Sequence, residues 1–303
     1  MSVILGTNHM FLYPESIINE KVHTESLREL AYTDKVEALD VWVWRGAERS
    51  REEISILRDC KKVINYNIGD RFGEDVALPS SKNKADRDRA YDLIMREINF
   101  GLEAGSKKFI FGSGPDDTAD HKGAVERYSE FVAKVLSNIP KDCVMSLEPT
   151  DWDIDKHFLF GPVGETVDFI KKINNDGYKN LGMLLDMCHI PIMHETMESA
   201  IEKSKDVLNH IHLGNGVVND TTDKYYGDKH PSWNYAAGEY SDADGEKFIR
   251  ILREICYTGK DNATISFEMR PYEGKTPAES LARFVEVYNK AMTDLKKENK
   301  HEV

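Results

Sequence analysis

Residues Leu181–Asp186 read LGMLLD, an apolar run interrupted by one glycine that stops on a carboxylate. Three other short runs likewise stop on a carboxylate or an imidazole: CVMSLE at 143–148, LNHIH at 208–212 and ATISFE at 263–268. Four more have the apolar, β-branched and aromatic content without the terminal ligand-type residue: VIL at 3–5, ALDVWVW at 38–44, KVINY at 62–66 and KKFIFG at 107–112. Such near-continuous runs suit strands buried on both faces of a parallel sheet.

Helical periodicity fills the gaps. Val125, Tyr128, Val132, Val135 and Ile139 recur at three- and four-residue spacing, as do Leu281, Phe284, Tyr288, Ala291 and Leu295. Residues 85–104 behave alike, with Gly105 as the stop. Ser50, Asp242 and the Thr276-Pro277 pair carry the expected start signals. Eight strand–helix units leave a barrel or an open doubly wound sheet. The first strand is followed by GTNHMF, which has no G-x-G-x-x-G. The expectation is therefore an α/β protein with a single (β/α)₈ TIM barrel over residues 1–303 and a charged, frayed tail from about 296.

Composition narrows the function. A hydrophobic share of 40% supports a large core, while 53 acidic against 40 basic residues give a net charge of −13. That field repels phosphate backbones and anionic membranes, so neither nucleic acid nor membrane is an expected partner. No run of about 18 apolar residues exists, and the N-terminus lacks a basic leader, so the expected location is cytoplasmic. Cys60, Cys143, Cys188 and Cys256 form no C-x-x-C pair and read as reduced, buried thiols. Residues 214–241 form a long connection without helical period, whose Tyr225, Tyr226, Trp233 and Tyr235 argue for order.

In a barrel all C-terminal strand ends meet at one face. Glu148, Asp186, His212 and Glu268 would then converge although they lie 26 to 56 positions apart. One shared cation relieves the cost of burying them together. Three carboxylates and one imidazole make a hard donor set, suited to Mn²⁺ first, with Mg²⁺, Co²⁺ or Zn²⁺ as alternatives. His210, two residues before His212, shares its face one layer deeper and reads as a core histidine. Arg270, Trp152, Trp233 and Tyr235 are candidates to contact a substrate, and Asn8, His9, Trp44, Asn67 and Ser113 are candidates for specificity.

At these residues the chain resembles a known family. LEP at 147–149, LLDMCH at 184–189, HIHLGN at 210–215, GDKHP at 227–231 and FE at 267–268 are similar to the xylose-isomerase-like TIM-barrel superfamily, above all its sugar-phosphate isomerase/epimerase group. The resemblance spans about residues 3–295 and is specific in the second half. It implies Glu148, Asp186, His212 and Glu268 as metal ligands, and Glu148 and Glu268 as acid and base passing a proton through an enediolate. It also implies His189 in catalysis and substrate contact. Beside it, Arg270, two residues after Glu268, is expected to hold a substrate oxygen and Trp233 to stack on the sugar, while Asp228 and His230 line the pocket or order the long loop.

Two other branches share parts of the pattern. D-x-x-H at 186–189 and DKH at 228–230 also resemble apurinic endonucleases, which need further histidines after the third and fourth strands. Those ends read NYNIG and FGSGP, and neither supplies one. LFGP at 159–162 and GDKHP also resemble members that cleave 3-keto-glycosides, including C-glycosides, as metal-dependent lyases with a small β-rich partner subunit. The expected activity is a ketose isomerase or epimerase acting on a small carbohydrate, with that lyase as the alternative. A homo-oligomer is compatible with either. A non-catalytic sugar-binding or scaffold barrel is the reading of another class.

Overall fold

The computed structural model describes residues 3–69, 78–117 and 119–293. Eight parallel strands close in sequence order: β1 (Ile4–Asn8), β2 (Ala38–Val41), β3 (Val63–Asn67), β4 (Lys108–Gly112), β5 (Val144–Glu148), β6 (Leu181–Asp186), β7 (Leu208–Leu213) and β8 (Thr264–Phe267). Pairing of β1 with β8, from Ile4 opposite Thr264 to Thr7 opposite Phe267, seals the barrel. A strand falls on each of the eight apolar runs. β1 continues past the run at 3–5 to Asn8, because its neighbours supply partners for the polar Thr7 and Asn8. β2 stops at Val41, which leaves Trp42 and Trp44 above the sheet.

Eight longer helices surround the strands among the described residues: α1 (Glu20–Tyr32), α2 (Ala47–Asp59), α3 (Lys84–Glu103), α4 (His121–Ser137), α5 (Val163–Asn175), α6 (Met197–Ser204), α7 (Asp242–Glu254) and α8 (Pro277–Thr293). Two of the three start signals need correction. α2 begins at Ala47 after Gly46, and Ser50 lies inside it, with its hydroxyl donated to the Trp44 carbonyl at 2.7 Å. α7 is capped by Ser241, one residue before Asp242, in a reciprocal box with Asp244. Pro277 does open α8, and Thr276 Oγ1 accepts from the Glu279 amide. Gly105 follows α3 in the left-handed region, φ +88°. The charged tail lies outside the described residues.

Strand alternation sorts two sets of side chains. Tyr66, Phe109, Phe111, Leu147, Leu185, Ile211 and Phe267 point outward and are buried under the helices. The inward set is largely polar where aliphatic layers are usual: Asp40, Asn65, Lys108, Ser146, His210, His212, Thr264 and Ser266 are all buried, beside the aliphatic Ile110 and Leu184. Of the cysteines, which are all free, Cys143 and Cys188 are buried as expected. Cys60 is half-buried and Cys256 exposed, since both lie at helix ends rather than within strands. Among the described residues, no helix is long and apolar enough to cross a membrane.

Gly101 brings α3 close against the sheet. A Cβ there would sit 2.5 Å from Phe109 Cε1 and 2.8 Å from Tyr66 Cγ. Gly101→Val should therefore lower the unfolding free energy by about 1–3 kcal/mol through overpacking. Urea denaturation measures this, and an unchanged midpoint would mean that the two rings can move aside.

Candidate metal centre and pocket

The four strand-end residues converge as their spacing implied. Ligand atoms of Glu148, Asp186, His212 and Glu268 all lie within 4.8 Å of one another. His212 Nδ1 faces Glu268 Oε2 at 2.5 Å, Asp186 Oδ2 at 3.4 Å and Glu148 Oε1 at 3.6 Å. None of these contacts has hydrogen-bond geometry, so Nδ1 and Asp186 Oδ2 are both buried without a hydrogen-bond partner. Buried polar atoms are normally satisfied. Two such atoms without partners, facing each other among three carboxylates, fit one divalent cation.

Electrostatics agree. Burial raises the Glu268 carboxyl well above its usual range, and adjacent Asp186 adds to the rise. Burial alone would lower His212, but the Glu268, Asp186, Asp40 and Glu148 carboxylates outweigh it and raise the imidazole. The cluster thus collects protons where a cation would take their place.

The surrounding bonds fix these ligands. Asn8 Nδ2 donates to Glu268 Oε1 at 2.6 Å, and the Cys188 amide donates to Asp186 Oδ1. His212 Nε2 donates to Asp40 Oδ2 at 2.8 Å. Asp40 was missed in the sequence, although an aspartate inside ALDVWVW was the available signal.

Beside the centre, Cys188, His189, Asp228 and His230 form a second group close enough to hold a cation. His189 Nδ1 donates to the Pro149 carbonyl at 3.0 Å and His230 Nδ1 to the Glu268 carbonyl at 2.9 Å. Both rings turn Nε2 toward Asp228 Oδ1, at 3.2 and 2.6 Å. Lys156 Nζ lies 3.3 Å from Asp228 Oδ2. Burial would raise Asp228, but Lys156, His189 and His230 hold it well below the usual range.

These groups open into a cavity of about 380 Å³. Glu148, Glu268, His189, Asp228, His230, Lys156 and Asn67 form its polar side, and Met10, Phe11, Ile17, Trp42 and Phe158 its apolar wall. The structure therefore brings His189, Asp228 and His230 to the pocket, as expected.

Other candidates lie elsewhere. Trp233 is fully buried, donates Nε1–H to the Gly214 carbonyl and packs on Phe267 and Phe284, so it cannot stack on a sugar. It is the wedge that orders the loop at 214–241, together with Asn215 Nδ2, which bonds the Ser232 and Tyr240 carbonyls. Arg270 is absent from the pocket lining and holds that loop by donating Nε–H to the Lys229 carbonyl at 2.9 Å. Tyr235 bonds Asp223, and Trp152 packs against His194. His9 is buried against Ser26 and His23, Trp44 packs on Trp42 and His23, and Ser113 accepts from the Phe160 amide. The wall residues Met10, Phe11, Ile17 and Phe158 had no sequence signal that separates a pocket wall from core.

Comparison with known proteins places the chain. A profile of the xylose isomerase-like TIM barrel matches residues 71–290, so the chain belongs to that family. No curated protein matches significantly. Among solved structures, a D-tagatose 3-epimerase-like protein superposes with a TM-score of 0.70 at 15% identity, over 96% of this chain and 100% of that one. An L-ribulose 3-epimerase gives 0.65 at 16%, over 97% of each. The 3-keto-D-glucoside 4-epimerase of E. coli gives 0.63 at 13%, over 96% and 99%. At these identities the likeness is one of fold.

Mn²⁺ at 100 times its Kd should stabilise the metal-stripped chain by about 2.7 kcal/mol, read as a higher Tm in calorimetry. Asp186→Asn should abolish that increment while leaving the metal-free Tm equal or higher, since it removes one of the crowded carboxylates. An undiminished increment would place the cation elsewhere.

Proposed function

We propose that this member of the xylose isomerase-like TIM-barrel family is a divalent-metal-dependent sugar isomerase or epimerase, which moves a proton at a carbon beside a carbonyl. One observation carries the reading: two carboxylates from different strands, Glu148 and Glu268, meet at the floor of one pocket around the same buried imidazole. The oxygen-rich donor set suits Mn²⁺, with Mg²⁺, Co²⁺ or Zn²⁺ as alternatives. When bound, the cation would supply Lewis-acid stabilisation of the negative charge that develops as the proton leaves.

The protein's own groups account for the remainder. One carboxylate removes the proton and the other returns it on the opposite face, which inverts the carbon. Return to the neighbouring carbon moves the carbonyl instead. Asn8 fixes the Glu268 carboxylate in place. His189, His230, Asp228 and Lys156 form a charged rim suited to several hydroxyls. Three neighbours of like fold are named as sugar epimerases or as like one, which supports the reading.

A second reading has one observation in its favour. The wall of Met10, Phe11, Ile17, Trp42 and Phe158 gives the cavity an apolar side that a small polyol does not use. A 3-keto-glycoside would use it, with its aglycone on the wall. Loss of the proton beside the keto group would then expel the aglycone as a leaving group. A small β-rich partner subunit belongs to that reading.

Incubation of the Mn²⁺-loaded chain in D₂O with free ketoses and with 3-keto-glycosides separates the two. Deuterium in recovered ketose marks epimerisation or isomerisation, and released aglycone with untouched ketoses marks elimination. Glu148→Gln and Glu268→Gln should each lower turnover by about 10²-fold or more with unchanged circular dichroism. Near wild-type turnover in either would remove that residue from the proton path.

A further inference from the structure

The barrel interior below the metal centre carries a continuous file of hydrogen bonds. Lys108, on β4, places Nζ 2.7 Å from the Asn209 carbonyl, 3.3 Å from the Asn262 carbonyl and 2.6 Å from Thr264 Oγ1. Burial lowers its pKa to about 8, so at neutral pH it is still an ammonium with three protons to donate. Thr264 Oγ1 therefore accepts from Lys108, and its own proton is free to point to His210 Nδ1 at 2.5 Å. Geometry sets the state of His210, whose Nε2 faces the carboxylate of Asp40, a group that only accepts. Its Nδ1 accepts, so its Nε2 carries the hydrogen and donates to Asp40 Oδ2 at 2.8 Å.

Asp40 ends the file. Its Oδ1 accepts from Asn65 Nδ2 at 2.6 Å, and its Oδ2 accepts from both His210 and His212. Asp40, His210 and His212 also lie close enough to share a cation. Here, however, each facing atom already has a donor or acceptor of consistent direction, and the group is complete without one. A carboxylate at that point can only accept, so His212 must present N–H at Nε2 and keep Nδ1 for the site above.

We propose that Asp40, braced by the file from Lys108 through Thr264 and His210, is a positioning residue that fixes His212 with its Nδ1 lone pair toward the cation. The inference rests on the metal-centre reading above and extends it to residues on the far side of the barrel. The file gives direction as well as support. Each member's donor or acceptor role is set by the one before it, beginning with an ammonium that has nothing but protons to offer.

Mn²⁺ affinity, measured by titration of the metal-stripped chain, tests the inference without reference to turnover. Asp40→Asn should weaken Kd roughly 10- to 100-fold, the usual effect of losing a group that orients a ligand. Lys108→Met and isosteric Thr264→Val should weaken it less, by about threefold or more, and Thr264→Ser should restore it. Lys62→Met is the control for mere loss of a half-buried lysine, since Lys62 bonds the Thr33 and Val36 carbonyls away from the file. It should leave Kd unchanged.

Nitrogen-15 spectra of the metal-free wild type give a second readout that needs no variant to fold. His210 should be the Nε2–H tautomer. Wild-type Kd in Asp40→Asn, an equal loss in Lys62→Met and Lys108→Met, or an Nδ1–H tautomer at His210 would each overturn the proposal. Absence of any Mn²⁺ binding by the wild type would instead sink the metal-centre reading, and the tautomer would still decide whether the file has the direction argued.

Discussion

Three carboxylates around one imidazole nitrogen, nearly closed off from water, set the terms for the upper half of this barrel. Two like charges 4 Å apart repel by about 4 kcal/mol even at an effective dielectric of 20. Glu148, Asp186 and Glu268 approach one another about that closely. The fold holds them there because each caps a strand whose register is fixed by its neighbours, as where Asp186 lies opposite His212. The strain is electrostatic and local, and a divalent cation would relieve it. The arrangement is costly for stability and useful for chemistry.

The same constraint explains the polarity of the barrel interior. A histidine ligand works only with the right nitrogen free. Its other nitrogen therefore needs an acceptor, and a buried acceptor needs donors of its own. Asp40 takes that place, with Asn65 and His210 as its further donors. A layer of valine or isoleucine, the usual filling, could pack the space but could not fix a tautomer. The outer face, from Tyr66 and Phe109 to Phe267, keeps the aliphatic and aromatic character that binds helices to sheet.

The pocket has a similar division of labour. Its charged side is built from the ends of β5 and β8, from Lys156 after β5 and His189 after β6, and from the loop after β7, which Trp233, Asn215 and Arg270 hold in shape from behind. Its apolar wall comes mostly from the segments after β1 and β2, with Phe158 added from the loop after β5. Variation in the wall would reshape the cavity and leave the four clustered side chains untouched, in keeping with a fold whose loops and strand ends differ from protein to protein over a constant barrel.

The sequence by itself determined the eight strands and the four residues at their ends. Strand burial imposes a composition visible over five or six residues, and an acidic or imidazole side chain closing such a run has few inexpensive fates. Local pattern also reached His189, Asp228 and His230 through the resemblance they carry. Tertiary structure alone decided which aromatics face the cavity. Trp233 and Trp42 look alike in a sequence, yet one is a buried wedge and the other a pocket wall. It also decided that Asp40, 172 positions before His212, holds the Nε2 of that imidazole. A hydrogen bond across a closed barrel joins residues whose separation along the chain carries no periodic signal, because the contact is made by ring closure and not by the local geometry of strand or helix.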